Sequence, residues 1–236
     1  MSKNKSFKRK NTVNFNDMVK EKLRETKLVP KSLNQETYIL NLLDCKKSIV
    51  IAHGPAGSGK TYLAMIAAIR CLREGNCERI ILTRPAVEVD DEKLGFLPGT
   101  LEEKMAPWTQ PLLDVFREFY TPFDIEKMIA NKTIEIIPLA FMRGRTLRDA
   151  WIIGDELQSA SINQMKMLLT RIGSGSRIVV TGDQEQTERR FCQENGLKDI
   201  IERLNKSPND NIAICELTHK DIHRHPIIKE VLDLYS

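Results

Sequence analysis

Eight consecutive residues restrict this chain more than any others: Gly54-Pro55-Ala56-Gly57-Ser58-Gly59-Lys60-Thr61 fits the pattern G-x-x-x-x-G-K-[ST]. Glycines at 54, 57 and 59 allow a tight backbone turn that aims successive amide N–H groups inward. When a helix follows, those groups sit at its positive end and form a nest for polyphosphate. The flanks supply that context. Ser48-Ile49-Val50-Ile51-Ala52 predicts a short buried strand, and residues 62–72, apolar at helical spacing, predict a helix. Lys60 is then expected near the β and γ phosphates of a bound nucleotide, and the Thr61 hydroxyl on Mg²⁺. A turn that merely links strand to helix would explain the glycines but not Lys followed by Thr.

The rest of the chain repeats the alternation. Strands are expected at Arg79-Ile80-Ile81-Leu82-Thr83, at 133–138, at Trp151-Ile152-Ile153-Gly154, at Arg177-Ile178-Val179-Val180-Thr181 and at 212–215. Helical patterns fall from Asn16 to before Pro30, around Ile39 to Leu43, along Ile162, Met165, Leu168, Leu169 and Ile172, at 197–204 and at 226–234. Strands alternating with helices predict an α/β fold with a mainly parallel sheet covered on both faces. An excursion from Val87 to about Asn131 carries turn signals at Gly95, Pro98-Gly99 and Pro107. Its aromatics Trp108, Phe116, Phe119, Tyr120 and Phe123 are able to stack on single-stranded bases, though the spacing of Leu112, Leu113, Phe116 and Phe119 favours packing in the core. Arg143-Gly144-Arg145 at a strand exit suits a phosphate or an ordinary capped loop.

Two carboxylates complete the candidate site. Asp155-Glu156 follows an apolar strand, so Asp155 is expected to hold Mg²⁺ and Glu156 to orient and polarise an attacking water as general base. Gly182-Asp183-x-x-Gln186 closes the next strand, and Gln186 is expected to sense the γ phosphate.

At 236 residues and 41% hydrophobic content, one sizeable core or at most two small ones can be built, and a single domain is expected. Neither a run of about 18 apolar residues nor a secretory segment is visible, which predicts a soluble cytoplasmic protein without membrane association. Five cysteines, without a C-x-x-C pair, read mostly as small core residues, and His219, His223 and His225 lack the partners of a metal site. The net charge of +4 rests on Lys3, Lys5, Lys8, Arg9 and Lys10, without which bases and acids nearly balance. Residues 1–14 are thus set apart as a basic, disordered arm from a folded domain over 15–236. Such an arm serves nucleic-acid phosphates or solubility equally well.

Taken together, the chain resembles the PhoH-like family. The likeness spans about 33–235 and rests on Asn34-Gln35 with Tyr38, the phosphate loop, Leu82-Thr83-Arg84-Pro85-Ala86-Val87, Lys93-Leu94-Gly95-Phe96-Leu97-Pro98-Gly99 and Arg143-Gly144-Arg145-Thr146-Leu147. It continues through Asp155-Glu156-x-Gln158, Met165-Lys166-Met167, Leu169-Thr170-Arg171-Ile172-Gly173, Thr181-Gly182-Asp183 and Arg224-His225-Pro226. The resemblance implies a RecA-like ATPase core similar to that of superfamily one helicases. By the same resemblance Gln35 reads the adenine, Gln158 and Gln186 couple the γ phosphate to motion, and Arg224 is an arginine finger. It further implies a role in RNA metabolism or the phosphate-starvation response, and a homo-oligomer, possible as a hexameric ring. One phosphate loop and no length for a second such domain point to a finger given in trans. Two positions depart from the pattern, Gly154 where an apolar residue is usual and Leu157 where alanine is usual, and both bear on turnover speed. The expected function is an ATP- and Mg²⁺-dependent ATPase acting on RNA or another single-stranded nucleic acid. A slow nucleotide-controlled switch that docks a protein partner is the alternative, and a small-molecule kinase a third reading.

Overall fold

The structure, a computed structural model, describes residues 25–85, 101–184 and 195–222, and of 101–108 the backbone alone. Six strands form one sheet: β1 Ile49–His53, β2 Arg79–Thr83, β3 Ile134–Ile136, β4 Ala150–Gly154, β5 Arg177–Gly182 and β6 Ile212–Glu216. Their spatial order is β3-β2-β4-β5-β1-β6, and every neighbouring pair is parallel. All the carboxyl ends therefore lie along one edge, where open parallel sheets place their ligands.

Each strand is apolar on both sides, as a strand buried between two layers must be. Val50, Ala52, Ile80, Leu82, Trp151, Ile153 and Val179 face one layer, while Ile51, Ile81, Ile152, Ile178 and Val180 face the other. The first layer is made by α1 (Leu33–Leu43), α2 (Lys60–Arg73), α3 (Leu101–Arg117) and α4 (Pro122–Ala130). The second is made by α5 (Ile162–Leu169), α6 (Gly196–Lys206) and the short 3₁₀ turn Leu139–Met142. The buried apolar residues accordingly form one cluster on each face, as a sheet covered on both sides requires.

Helix starts follow local chemistry. Ser32 caps α1 by accepting from the Gln35 amide, Thr121 and Asp124 form a capping box ahead of α4, and Ser161 with Gln164 does the same for α5. The turn expected at Pro107 is replaced by helix: α3 runs through both Pro107 and Pro111. Those prolines are four residues apart, so their missing amides fall on one side of the helix. Burial of Leu112 and Phe116 secures the part beyond them. Phe116 and Phe119 are core residues, Tyr120 lies under the Arg73 guanidinium at 4.8 Å, and Phe123 is exposed. Of the cysteines, 77 and 215 are buried as expected, 71 is half-buried, and Cys45 is exposed on the loop after α1.

Residues 25–30 form no regular structure, so the helix expected from Asn16 to before Pro30 does not extend into them. The basic arm, the turns at Gly95 and Pro98-Gly99, Cys192, Gln186, Arg224 and the closing helix at 226–234 lie outside the described residues.

Phe116 is fully buried whereas Phe123 is 73% exposed. Phe116→Ala is expected to destabilise the fold by roughly 3–5 kcal/mol, and Phe123→Ala by no more than about 0.5 kcal/mol. Urea unfolding of the two variants checks this, and similar midpoints would contradict the packing of α3.

Candidate functional site

The phosphate loop joins β1 to α2 and is gripped at its entrance by its neighbours. The Gly54 amide donates to Gly182 O at the end of β5 (3.2 Å), and the Leu217 amide, just past β6, donates to His53 O (2.8 Å). Gly54 has φ +142°, and a Cβ there would stand 2.0 Å from the Leu217 carbonyl oxygen. No other residue fits that contact. Gly59 is the N-cap of α2 in the left-handed region, φ 87°. Having no side chain, it leaves the first-turn amides without a capping competitor for an anion.

Lys60 is almost wholly buried, and its ammonium donates to Gly54 O (2.6 Å) and Pro55 O (2.9 Å) inside the loop. An arriving phosphate would compete with those carbonyls for it. Thr61 and Thr181 both donate a hydroxyl to Asp155 Oδ1, each at 2.6 Å. Because β5 lies between β1 and β4, Asp155 is one strand removed from the loop, and Thr181 on the intervening strand bridges the gap.

Glu156 follows in the left-handed region, φ 54° and ψ 39°. A non-glycine residue there is strained by about 1 kcal/mol or more. Gln158 Nε2 donates to Glu156 Oε2, and Gln158 Oε1 accepts from the Asp183 amide at 3.1 Å. The buried Gln158 amide thus ties the candidate base to the exit of β5. A cavity of about 240 Å³ lies between the loop residues Lys60 and Thr61 and the carboxylates of Asp155, Glu156 and Asp183. A larger one, about 540 Å³, opens at the opposite ends of β4 and β5. There Arg177 donates to Leu42 O and Asp44 O and lies 5.1 Å over the Trp151 ring, a capping and packing arrangement.

Gln35 is also beside the loop, with its amide engaged by protein groups. Its Nε2 donates to Ser58 O (3.0 Å) and reaches Asp221 O (3.5 Å), while its Oε1 accepts from the Lys31 amide (2.8 Å). Asp221 is buried and accepts from Asn34 Nδ2 (2.9 Å) and the Thr218 amide (2.6 Å). Burial raises its pKa, but hydrogen bonds from Asn34, Ser32 and Thr218 outweigh that and hold it down at about 2. Arg145 pairs with Glu135 at 2.9 Å and Arg143 is exposed, so this pair of arginines does not converge on the cavity. No site role was read for Thr181, Tyr62 or Asp221, although Thr181 stands in the stretch Thr181-Gly182-Asp183. The signal available for Thr181 was its position as the last polar residue before Gly182-Asp183.

The donor set suits a nucleotide with a hard cation: a hydroxyl and a carboxylate oxygen already converge, and oxygen ligands are what Mg²⁺ takes. The two departures from the family pattern occupy one space. A Cβ on Gly154 would meet Leu157 Cδ2 and Leu168 Cδ2, both at 2.9 Å, so the missing side chain at 154 makes room for the larger one at 157. Gly154→Ala is expected to destabilise by about 1–3 kcal/mol through overpacking. Adding Leu157→Ala should relieve part of it, giving a double-variant cost below the sum of the singles. Strict additivity in urea unfolding would refute the pairing.

A family model described as PhoH-like protein matches residues 27–236. The PhoH-like protein of Mycobacterium tuberculosis (strain ATCC 25618 / H37Rv) is 48% identical over 210 residues, covering 88% of this chain and 57% of that protein. The PhoH-like protein of Bacillus subtilis (strain 168) is 42% identical over 206 residues, with coverage of 87% and 63%. Protein PhoH of Escherichia coli (strain K12) is 36% identical over 200 residues, covering 80% of this chain and 53% of its own length. The chain therefore spans between half and two thirds of the length of these relatives. With the model matched from residue 27 to the last and such identity across most of its length, this chain belongs to the PhoH-like family.

Proposed function

We propose that the protein binds ATP with Mg²⁺ and hydrolyses it, and that it couples this cycle to binding or remodelling single-stranded nucleic acid, RNA foremost. The observation that carries the nucleotide reading is the convergence of Thr61 and Thr181 on Asp155 at the mouth of a phosphate loop holding a buried Lys60. The loop amides and Lys60 bind and orient the phosphates. Thr61 and Asp155 would hold Mg²⁺, which when bound neutralises phosphate charge. Glu156 holds and polarises the attacking water, taking its proton at a carboxylate oxygen. Gln158 passes any displacement of Glu156 to the exit of β5 through its bond to the Asp183 amide.

Support for the nucleic-acid half is the cluster of cations in residues 1–10 together with the family resemblance, which also motivates a role in RNA metabolism or phosphate starvation and a homo-oligomer with Arg224 given in trans. One observation favours the slower switch that docks a protein partner. Lys60 is bound to the loop carbonyls of Gly54 and Pro55, which a phosphate must replace before turnover. Measuring ATPase rate with and without a panel of RNA and DNA separates the readings. A strong rise with single-stranded RNA supports the coupling, and indifference to every nucleic acid supports the switch.

Lys60→Ala should weaken ATP binding. Glu156→Gln should bind ATP and hydrolyse it ~10²–10⁴-fold more slowly, the effect of losing a general base. Parental turnover in Glu156→Gln would remove that residue from its role. Mixing Arg224→Ala with Lys60→Ala subunits should partly restore activity if the finger acts between copies. No recovery, from an assembly that does form, would place it elsewhere.

A further inference from the structure

We propose that Cys71 and Cys77 are a modification site: hydrogen peroxide oxidises Cys71, and Cys77 resolves the product into a disulfide across the turn between α2 and β2. The site lies at the opposite end of the sheet from the phosphate loop and stands apart from the nucleotide reading. Cysteines kept only as small core residues would have no reason to gather. Among the described residues, three of the four, Cys45, Cys71 and Cys77, line the same cavity of about 540 Å³. The turn brings two of them together. Cys71 is in the last turn of α2, where its carbonyl accepts from the Asn76 amide at 2.9 Å and Leu72 O accepts from the Gly75 amide at 3.1 Å. Those two bonds, with Gly75 at φ 72°, are the left-handed stop that folds the chain back on the helix. Cys77 is the next residue but one, and its thiol meets that of Cys71 side chain to side chain.

The surroundings give the two thiols different tasks. The contact with Cys77 holds the Cys71 thiol below its usual pKa; burial opposes this, and the nearby Arg177 guanidinium assists it. Cys77 is pushed the other way, by the same contact and then by burial, so it keeps its proton. Cys71 is half-buried and open to the cavity, whereas Cys77 is 7% exposed. A thiolate on the accessible sulfur with a protonated thiol behind it is the pairing that peroxide chemistry needs. The Cys71 thiolate attacks one peroxide oxygen, an S–O bond forms as the O–O bond breaks, and hydroxide leaves and takes up a proton as water. The Cys77 sulfur then attacks the sulfur of the sulfenic acid. There the S–O bond breaks, the S–S bond forms, and the hydroxyl leaves with the Cys77 proton as a second water. Two electrons pass from the sulfurs to peroxide. The new bond pins the last turn of α2, whose first turn carries Lys60 and Thr61, to the segment entering β2.

Tryptic peptide mapping of the full chain, before and after brief exposure to hydrogen peroxide and with remaining thiols blocked, tests this. Trypsin cuts after Arg70, Arg73 and Arg79, so Cys71 and Cys77 fall on separate peptides, 71–73 and 74–79. The oxidised parental chain should give these two joined, lighter than their sum by two hydrogens, and dithiothreitol should part them. In Cys77→Ser the sulfenic acid has no resolving thiol, so dimedone, which captures that group, should label Cys71. In Cys71→Ser it should leave Cys77 unlabelled. A parental chain whose two peptides stay unjoined would overturn the site, whichever other cysteine is oxidised. Dimedone on Cys45 in preference to Cys71, or on Cys77 in Cys71→Ser, would overturn it too. Because the joined peptides are read in the parental chain, a variant that fails to fold leaves that test intact.

Discussion

One carboxylate oxygen organises the carboxyl edge of the sheet. Asp155 Oδ1 accepts two short hydroxyl bonds, from Thr61 at the start of α2 and from Thr181 near the end of β5. Hydrogen bonds to a charged acceptor are about twice as strong as neutral ones, and burial strengthens them further. The strand order gives them a particular place. With β5 between β1 and β4, the backbone ladder joins the Asp155 strand to the loop strand only through β5, and the two hydroxyl bonds join them directly at the edge. The same oxygen is the natural ligand for a cation, and a bound ion would compete with two hydroxyls for it.

Two buried amides extend the arrangement in opposite directions. Gln158 joins Glu156 to the exit of β5, and Gln35 joins the loop carbonyl of Ser58 to the segment after β6 through Asp221. Gly54 adds a third hold, since its α-carbon faces the Leu217 carbonyl too closely for any side chain. The loop is thus held from β5, from the chain after β6 and from α1. A change in its shape on binding phosphate has three routes outward, and one leads directly toward the residues that precede Arg224.

Much of this was legible in the residues and some was not. The strands over 79–83, 150–154 and 177–182 were plain because each is a continuous apolar run between turn residues, and the phosphate loop because its spacing has a mechanism. The later part of α3 was legible in the helical spacing of Leu112, Leu113 and Phe116, but its start was hidden by Pro107, whose local preference was overridden by the burial of Leu112 and Phe116. Thr181 could not be assigned because its role depends on which strand lies beside which, and strand order is a tertiary fact. The Gly154 and Leu157 departures looked like two separate defects and are one exchange of volume, visible only when both are in place. Gln35 was read from the resemblance as a contact to adenine. The bonds its buried amide makes to Ser58 and Lys31 are an addition to that reading, set by a chain path that no pattern encodes.

The backbone at Glu156 has a consequence for anyone who would engineer this protein. Its φ of 54° is one that glycine or asparagine would hold with less strain. A laboratory selection for heat resistance alone, blind to turnover, would tend to replace it, since relief of strain at such a position is among the easiest gains available. The hardiest descendants of that selection would keep the sheet, the loop and the buried carboxylate, and would have lost the side chain proposed to activate water.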